Sequence, residues 1–155
     1  MIFDHLGVIV QDLDQGRSML SAAIGIRRWT AEFEDPENDV FVQFGLCPSG
    51  MSYETIAPRS PASPVRTALK KRVNIINHVA YRVFDLASEA DRLSAQGFIP
   101  LSEPRPAVAY GGRHIQFLIN GDSFLIELIE APAHEHRYFE YDPLDTSYPI
   151  ENDDA

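Results

Sequence analysis

The sequence predicts an α+β protein assembled from two copies of one unit, and three observations carry that expectation. Apolar, β-branched stretches over residues 3–10 ("FDHLGVIV") and 76–83 ("INHVAYRV") each lead into Asp-Leu and a helical pattern of apolar residues. Two shorter strand patterns follow each helix. The copies also keep register: His5 and His78, Asp12 and Asp85, Leu20 and Leu93, Glu54 and Glu127 are each 73 residues apart.

In the first copy, Asp12 is placed to cap a helix that turns Leu13, Leu20 and Ile24 inward and stops at Gly25. Strands are expected over "VFVQFGL" (40–46) and "SYETIA" (52–57), with glycines 45 and 50 at turns. Ser63 as N-cap and Pro64 at the first helical position predict a linking helix over about 63–72. In the second copy, Asp85 caps a helix carrying Leu86, Ala90 and Leu93 and ending at Gly97. Strands then fall over "RHIQFLI" (113–119) and "SFLIELIE" (123–130), with Gly121 at the turn between them. The two modules, about 1–60 and 74–132, are expected to form one domain over 1–132. The tail, 133–155, with Pro143, Pro149 and "ENDDA", reads as loosely ordered.

Composition narrows the function. At 155 residues and 45% apolar, the chain can bury about two-thirds of its unfolded surface. A formal charge of −10 repels phosphate backbones, which argues against nucleic acid or an anionic membrane and for a small-molecule partner. The single cysteine, Cys47, excludes an intrachain disulfide. No apolar run nears the roughly 20 residues a bilayer needs, and the first residues lack the pattern of a signal peptide. A cytoplasmic protein is expected.

Strand alternation puts His5 on a face with Gly7 and Ile9, and His78 with Ala80 and Arg82, opposite the residues that pack on the helices. Each histidine is followed 49 residues later by a glutamate, Glu54 or Glu127. Glu127 interrupts the apolar run Phe124, Leu125, Ile126, Leu128, Ile129, and a buried carboxylate without a partner is too costly to leave so. A divalent cation is an economical partner: two neutral imidazoles and two carboxylates suit Ni, Co, Zn, Mn or Fe and leave positions open for water or substrate. The alternative is that both histidines bond to backbone and both glutamates sit on a solvated face.

The segments "DHLGVIVQDL", "YETIAP", "NHVAYRVFDL" and "FLIELIEAP" resemble the vicinal oxygen chelate (glyoxalase/bleomycin resistance/dioxygenase) superfamily, over nearly the whole chain up to Pro132. The resemblance implies two tandem βαβββ modules forming an open, barrel-like mixed sheet around a metal cavity, with helices outside. It also implies a divalent metal held by His5, Glu54, His78 and Glu127. The fourth ligand, Glu54, points to the branch holding glyoxalase I and methylmalonyl-CoA epimerase. "SEPRPAVAYGGRHIQFLINGDSFLIEL" is more similar to the epimerase, which implies proton abstraction next to a carbonyl or thioester and a metal-stabilised enolate. Glu127 is then the expected base, and Glu54 chiefly a ligand with a share in catalysis. The chain departs from epimerases in having Asn77-His78 for His-His, Met19-Leu20 for Phe-Tyr, and Gln43 where some carry a base carboxylate.

For an acyl-CoA, Arg105 and Arg113 flank the "AVAYGG" loop, whose Gly111 and Gly112 let backbone N–H groups approach a phosphate, so these four are the expected substrate-binding residues. Lys70, Lys71 and Arg72 suit a helix C-terminus, and "HEH" (134–136) suits a solvated tail. Two other activities fit the same residues: a glyoxalase-type lyase acting on a thiol adduct of methylglyoxal, and a non-catalytic protein that binds a small ligand. A site within one chain and one shared across a homodimer are both compatible with the sequence.

Overall fold

A computed structural model of the chain describes residues 1–73, 75–142 and 150–151. Pro143, Pro149 and most of "ENDDA" lie outside the described residues. In the first module, β1 (Ile2–Ile9) leads into α1 (Leu13–Ile24), then β2 (Arg28–Trp29), β3 (Glu32–Asp35), β4 (Val40–Leu46) and β5 (Ser52–Pro58). After α2 (Arg66–Lys71) the plan repeats as β6 (Ile76–Arg82), α3 (Leu86–Ser94), β7 (Ile99–Pro100), β8 (Arg105–Ala107), a 3₁₀ turn (Val108–Tyr110), β9 (Arg113–Ile119) and β10 (Leu125–Ile129). Two short strands, β11 (Phe139–Glu140) and β12 (Ile150–Glu151), follow.

Three of the expected caps act as the sequence indicates. Asp12 accepts the Gln15 amide at 2.8 Å, and Gly25 closes α1 at φ 74°, where a β-carbon would be strained. Asp85 accepts the Ser88 amide at 2.9 Å at the start of α3.

The strands form one open mixed sheet in the order β11-β2-β4-β5-β1-β6-β10-β9-β7. At its centre β1 and β6 run antiparallel, and each pairs in parallel with the last long strand of its own module, β1 with β5 and β6 with β10. Alternation divides the side chains between two faces. Val8, Val10 and Ala57 meet Leu13 of α1, while Ile126 and Leu128 meet Leu86, Ala90 and Leu93 of α3. The opposite face gathers Val42, Phe44, Ile56, Ala80, Ile115 and Ile129. Among the described residues no helix is long and apolar enough to cross a membrane.

Five expectations need correction. Gly45 lies inside β4, paired with Trp29 and Tyr53, and not at a turn. Ile24 is 38% exposed, and Arg17 and Ser21 of α1 are buried instead, Ser21 by accepting the Trp29 indole N–H at 3.2 Å. Helix α3 ends at Ser94, and Gly97, at φ 89°, belongs to the turn beyond it. Ser63 caps nothing: α2 begins at Arg66 behind Val65, because Pro64 and Val65 are drawn into the lining of the cavity described below. Residues 133–142 are not loose. They form a strap in which β11 pairs with β2, Tyr141 N–H donates to Arg27 O at 2.7 Å, and the His136 ring stacks on Phe44 at 4.0 Å.

Candidate metal centre

Register across the central strands explains how residues far apart in sequence meet. Gly7 of β1 lies between Glu54 of β5 and His78 of β6, and Ala80 of β6 lies between His5 of β1 and Glu127 of β10. Adjacent strands are about 4.8 Å apart, so each small residue leaves room for an imidazole and a carboxylate to lean over it and converge. At Gly7 the fit is tight: an added β-carbon would fall 2.5 Å from Nδ1 and 2.6 Å from Nε2 of His78. Phenylalanines brace both rings edge-on, Phe44 against His5 at 5.2 Å and Phe117 against His78 at 5.1 Å.

The result is a buried cluster drawn from a single chain, in which one ligand atom from each of His5, Glu54, His78 and Glu127 lies within 4.8 Å of the others. The two Nε2 atoms are 3.0 Å apart. Glu54 Oε2 lies 3.2 Å from His5 Nε2 and 3.4 Å from His78 Nε2; Glu127 Oε2 lies 3.3 and 3.1 Å from the same atoms. Glu127 Oε2 is buried and makes no hydrogen bond among the described residues. Two nitrogen and two oxygen donors, one of them an orphan, fit a divalent first-row cation. The alternative of backbone-bonded histidines and solvated glutamates does not describe this arrangement.

Charge within the cluster is unevenly held. Burial by itself would lower the His5 pKa, but the Glu54 charge, the hydrogen bond to Asp4 and the close Glu127 carboxylate raise it well above the ordinary value. His78 is raised too, its contacts with Glu127 and Glu54 outweighing burial. Burial would raise Glu54, yet the facing His5 and His78 hold it at about 2.

The far nitrogen of each ring is fixed by the preceding residue. The β1–β6 ladder carries two bulges, with Asp4 the extra residue on β1 and Asn77 the extra residue on β6, so each turns its side chain to the histidine beside it. His5 Nδ1 donates to Asp4 at 2.9 Å and His78 Nδ1 to Asn77 Oδ1 at 3.0 Å. Both leave Nε2 for the cluster. Asp4 is also held by the Tyr110 hydroxyl at 2.6 Å and Arg82 Nε at 2.9 Å. Burial opposes its ionisation, but the bonds to His136, His5 and Tyr110 prevail and keep its pKa far below the usual carboxylate range.

A cavity of ≈ 390 Å³ opens beside the cluster, within the range of small-molecule sites. Glu54, His78 and Glu127 line it together with apolar side chains such as Val42, Ile56, Phe117 and Leu125. Arg105 lines it as well. Gly111, Gly112 and Arg113 are exposed and do not: the 3₁₀ turn carries Ala109 and Tyr110 inward and leaves both glycines, at φ 60° and 74°, in the outward turn before β9. Gln43 faces α1, accepting from Arg17 at 2.7 Å, whereas Asp35 of β3 supplies a further cavity-lining carboxylate, 4% exposed and bonded to the Asn38 amides at 3.0 and 2.9 Å. Sequence reasoning missed Asp4, Asn77, Tyr110 and Asp35. A polar residue directly before each repeated histidine was the available signal for the first two. "HEH" is not solvated: His136 packs beside Asp4, Phe44 and Tyr110.

Residues 4–117 match the family model described as the Glyoxalase/Bleomycin resistance protein/Dioxygenase superfamily. The ethylmalonyl-CoA/methylmalonyl-CoA epimerase of Cereibacter sphaeroides is 29% identical over 120 residues, 74% of this chain and 85% of that protein. Among solved structures, the methylmalonyl-CoA epimerase of Mycobacterium tuberculosis is similar with a TM-score of 0.70 and 27% identity, covering 82% of this chain and 85% of its own. A Streptomyces coelicolor methylmalonyl-CoA epimerase, in complex with 2-nitronate-propionyl-CoA, shares the fold with a TM-score of 0.68 at 23% identity, over 83% of this chain and 96% of its own.

Proposed function

We infer that this chain, which belongs to the glyoxalase/bleomycin resistance protein/dioxygenase superfamily, is a metal-dependent epimerase that removes and returns the proton next to the thioester carbonyl of an acyl-CoA. The observation that carries the reading is the orphaned Glu127 Oε2, set 3.1 Å from His78 Nε2 at the wall of a cavity sized for an acyl group. The named activities of the Cereibacter and Mycobacterium relatives support an epimerase over a lyase.

His5, Glu54, His78 and Glu127 would hold the divalent cation. Once bound, it supplies Lewis acidity that steadies negative charge on a carbonyl oxygen. Glu54, kept ionised by its two imidazoles, is chiefly a ligand. Glu127, already facing the cavity, takes the proton. Inversion needs a proton delivered from the other side of the carbon, and Asp35, a cavity-lining carboxyl contributed by the other module, is the group we assign to deliver it. The apolar lining keeps water from competing for the carbanion, and Arg105 offers a charge for an anionic substrate group.

The test is exchange of the α-proton of methylmalonyl-CoA with deuterated water. Metal-loaded protein is expected to exchange it, chelation to abolish exchange, and Glu127→Gln to slow it by about 100-fold or more. Exchange that continues unchanged in the chelated protein would refute the reading.

A further inference from the structure

We propose that His136, in the strap that follows the second module, is a positioning residue for His5: its Nε2–H steadies the Asp4 carboxylate, which in turn holds the His5 ring for the cation. The proposal rests on the metal-centre reading above. Asp4 is a carboxylate whose side chain is 7% exposed, and a charge so placed is tolerated only among donors. Its Oδ2 collects His5 Nδ1 at 2.9 Å and the Tyr110 hydroxyl at 2.6 Å, while its Oδ1 faces Arg82 Nε at 2.9 Å. His136 Nε2 approaches the same Oδ2 to 3.8 Å, and among the described residues it is buried with no hydrogen bond of its own.

The neighbours of the ring decide what it offers. A carboxylate only accepts, so the His136 nitrogen facing Asp4 carries a proton, and Nδ1 is engaged on the other side by His134 Nε2 at 3.2 Å. The ring also stacks on Phe44 at 4.0 Å, and Phe44 is the side chain that braces His5 edge-on at 5.2 Å. His136 therefore touches both groups that hold His5, its acceptor and its brace. The strap is tied down around the same histidine: Arg82, on Asp4, also donates to the His134 carbonyl, and the Tyr138 hydroxyl lies 3.1 Å from Oγ of Ser52, the residue paired with His5 across β1 and β5. At the second imidazole the acceptor is Asn77, a neutral amide with no charge for such donors to hold. The strap lies beyond residues 4–117, which match the family model, so this support is an addition to the shared module plan. A fixed, ionised acceptor behind a ligand histidine sets its orientation and raises the basicity of the nitrogen that meets the metal.

His136→Phe keeps a ring on Phe44 and removes the donor, whereas His136→Gln keeps a donor of similar reach. Two measurements on the full chain read the effect: affinity for Co²⁺, and the NMR signals of the His5 and His78 Nδ1–H groups in the metal-free protein. His136→Phe should weaken Co²⁺ binding about 10- to 100-fold and shift or broaden the His5 signal while the His78 signal stays in place. His136→Gln should keep Co²⁺ affinity within about threefold and preserve the His5 signal. His136→Leu repeats the donor-free case should the larger ring prevent folding. A general loosening of the fold would move both imidazole signals together. That outcome, wild-type Co²⁺ affinity in a folded donor-free variant, or equal loss of Co²⁺ in His136→Gln would each overturn the proposal. A wild-type protein that binds no Co²⁺, yet shows the selective change at His5 in His136→Phe, refutes the metal-centre reading and leaves His136 as the residue that positions His5.

Discussion

Gly7→Ala should empty the candidate metal centre while leaving the fold intact. Gly7 lies in β1 and does not adopt a positive φ, so alanine meets no backbone strain there. The conflict is local: its β-carbon would lie 2.5 and 2.6 Å from the two His78 nitrogens, where ordinary contact begins near 3.4 Å. The ring must therefore retreat by about 1 Å, against the roughly 0.2 Å tolerance of a metal–nitrogen bond, and one ligand of four is lost. If about 10–16 kcal/mol of binding is shared among four ligands, the loss is roughly 3 kcal/mol, or about 100-fold in affinity. Competition against a chromogenic chelator measures this with Co²⁺, and circular dichroism checks the fold. Ala80→Gly, at the equivalent place where a methyl is already accommodated, is the control and should keep its metal. Wild-type affinity in Gly7→Ala would refute the convergence of His78 and Glu54 over that glycine.

Asp35→Asn should cut epimerisation by about 100-fold or more yet leave α-proton exchange in one enantiomer, which stereochemically resolved substrate in deuterated water will detect. Equal loss from both enantiomers would mean that Asp35 is not the second base. The pKa of His5 is raised, so without metal its protonated form adds stability that is complete below about pH 6.5 and is lost as pH climbs through the raised value. A cation requires neutral imidazoles, and with the Nε2 atoms only 3.0 Å apart a proton held between the rings must leave before it binds. Metal affinity should therefore rise about tenfold per pH unit until that proton is gone, while the melting temperature of the metal-free chain falls over the same range. A flat affinity profile from pH 6 to 9 would exclude the charged cluster.

What the sequence revealed, and what it hid, follows from how far each contact reaches. The four cluster residues were legible because duplication writes each of them twice at one spacing, and strand alternation then put them on one face. The same spacing joins Phe44 to Phe117, the pair that braces the two imidazoles, a match visible in the two "QF" steps. Asp35 was hidden because β3 is four residues long inside the polar run "EFEDPEND", which reads as a loop. Gln43 turns to the other face, toward Arg17, because the cavity-side positions of β4 are 40, 42 and 44. The strap was hidden because its anchors, Phe44, Ser52 and Trp29, lie some 90 to 110 residues away and leave no local pattern.

Where the copies differ is as informative as where they agree. His5 with His78, Glu54 with Glu127 and Phe44 with Phe117 repeat unchanged, and these residues form or brace the cluster, a task that both halves share. Asp4 against Asn77, Gly7 against Ala80 and Asp35 against Val108 do not repeat. A cage with near twofold symmetry can hold a spherical ion, but it cannot by itself tell one end of an acyl thioester from the other. Two of those three differences fall where Asn77 and Asp35 line the cavity, so the departures from the repeat supply the asymmetry that orienting a substrate requires.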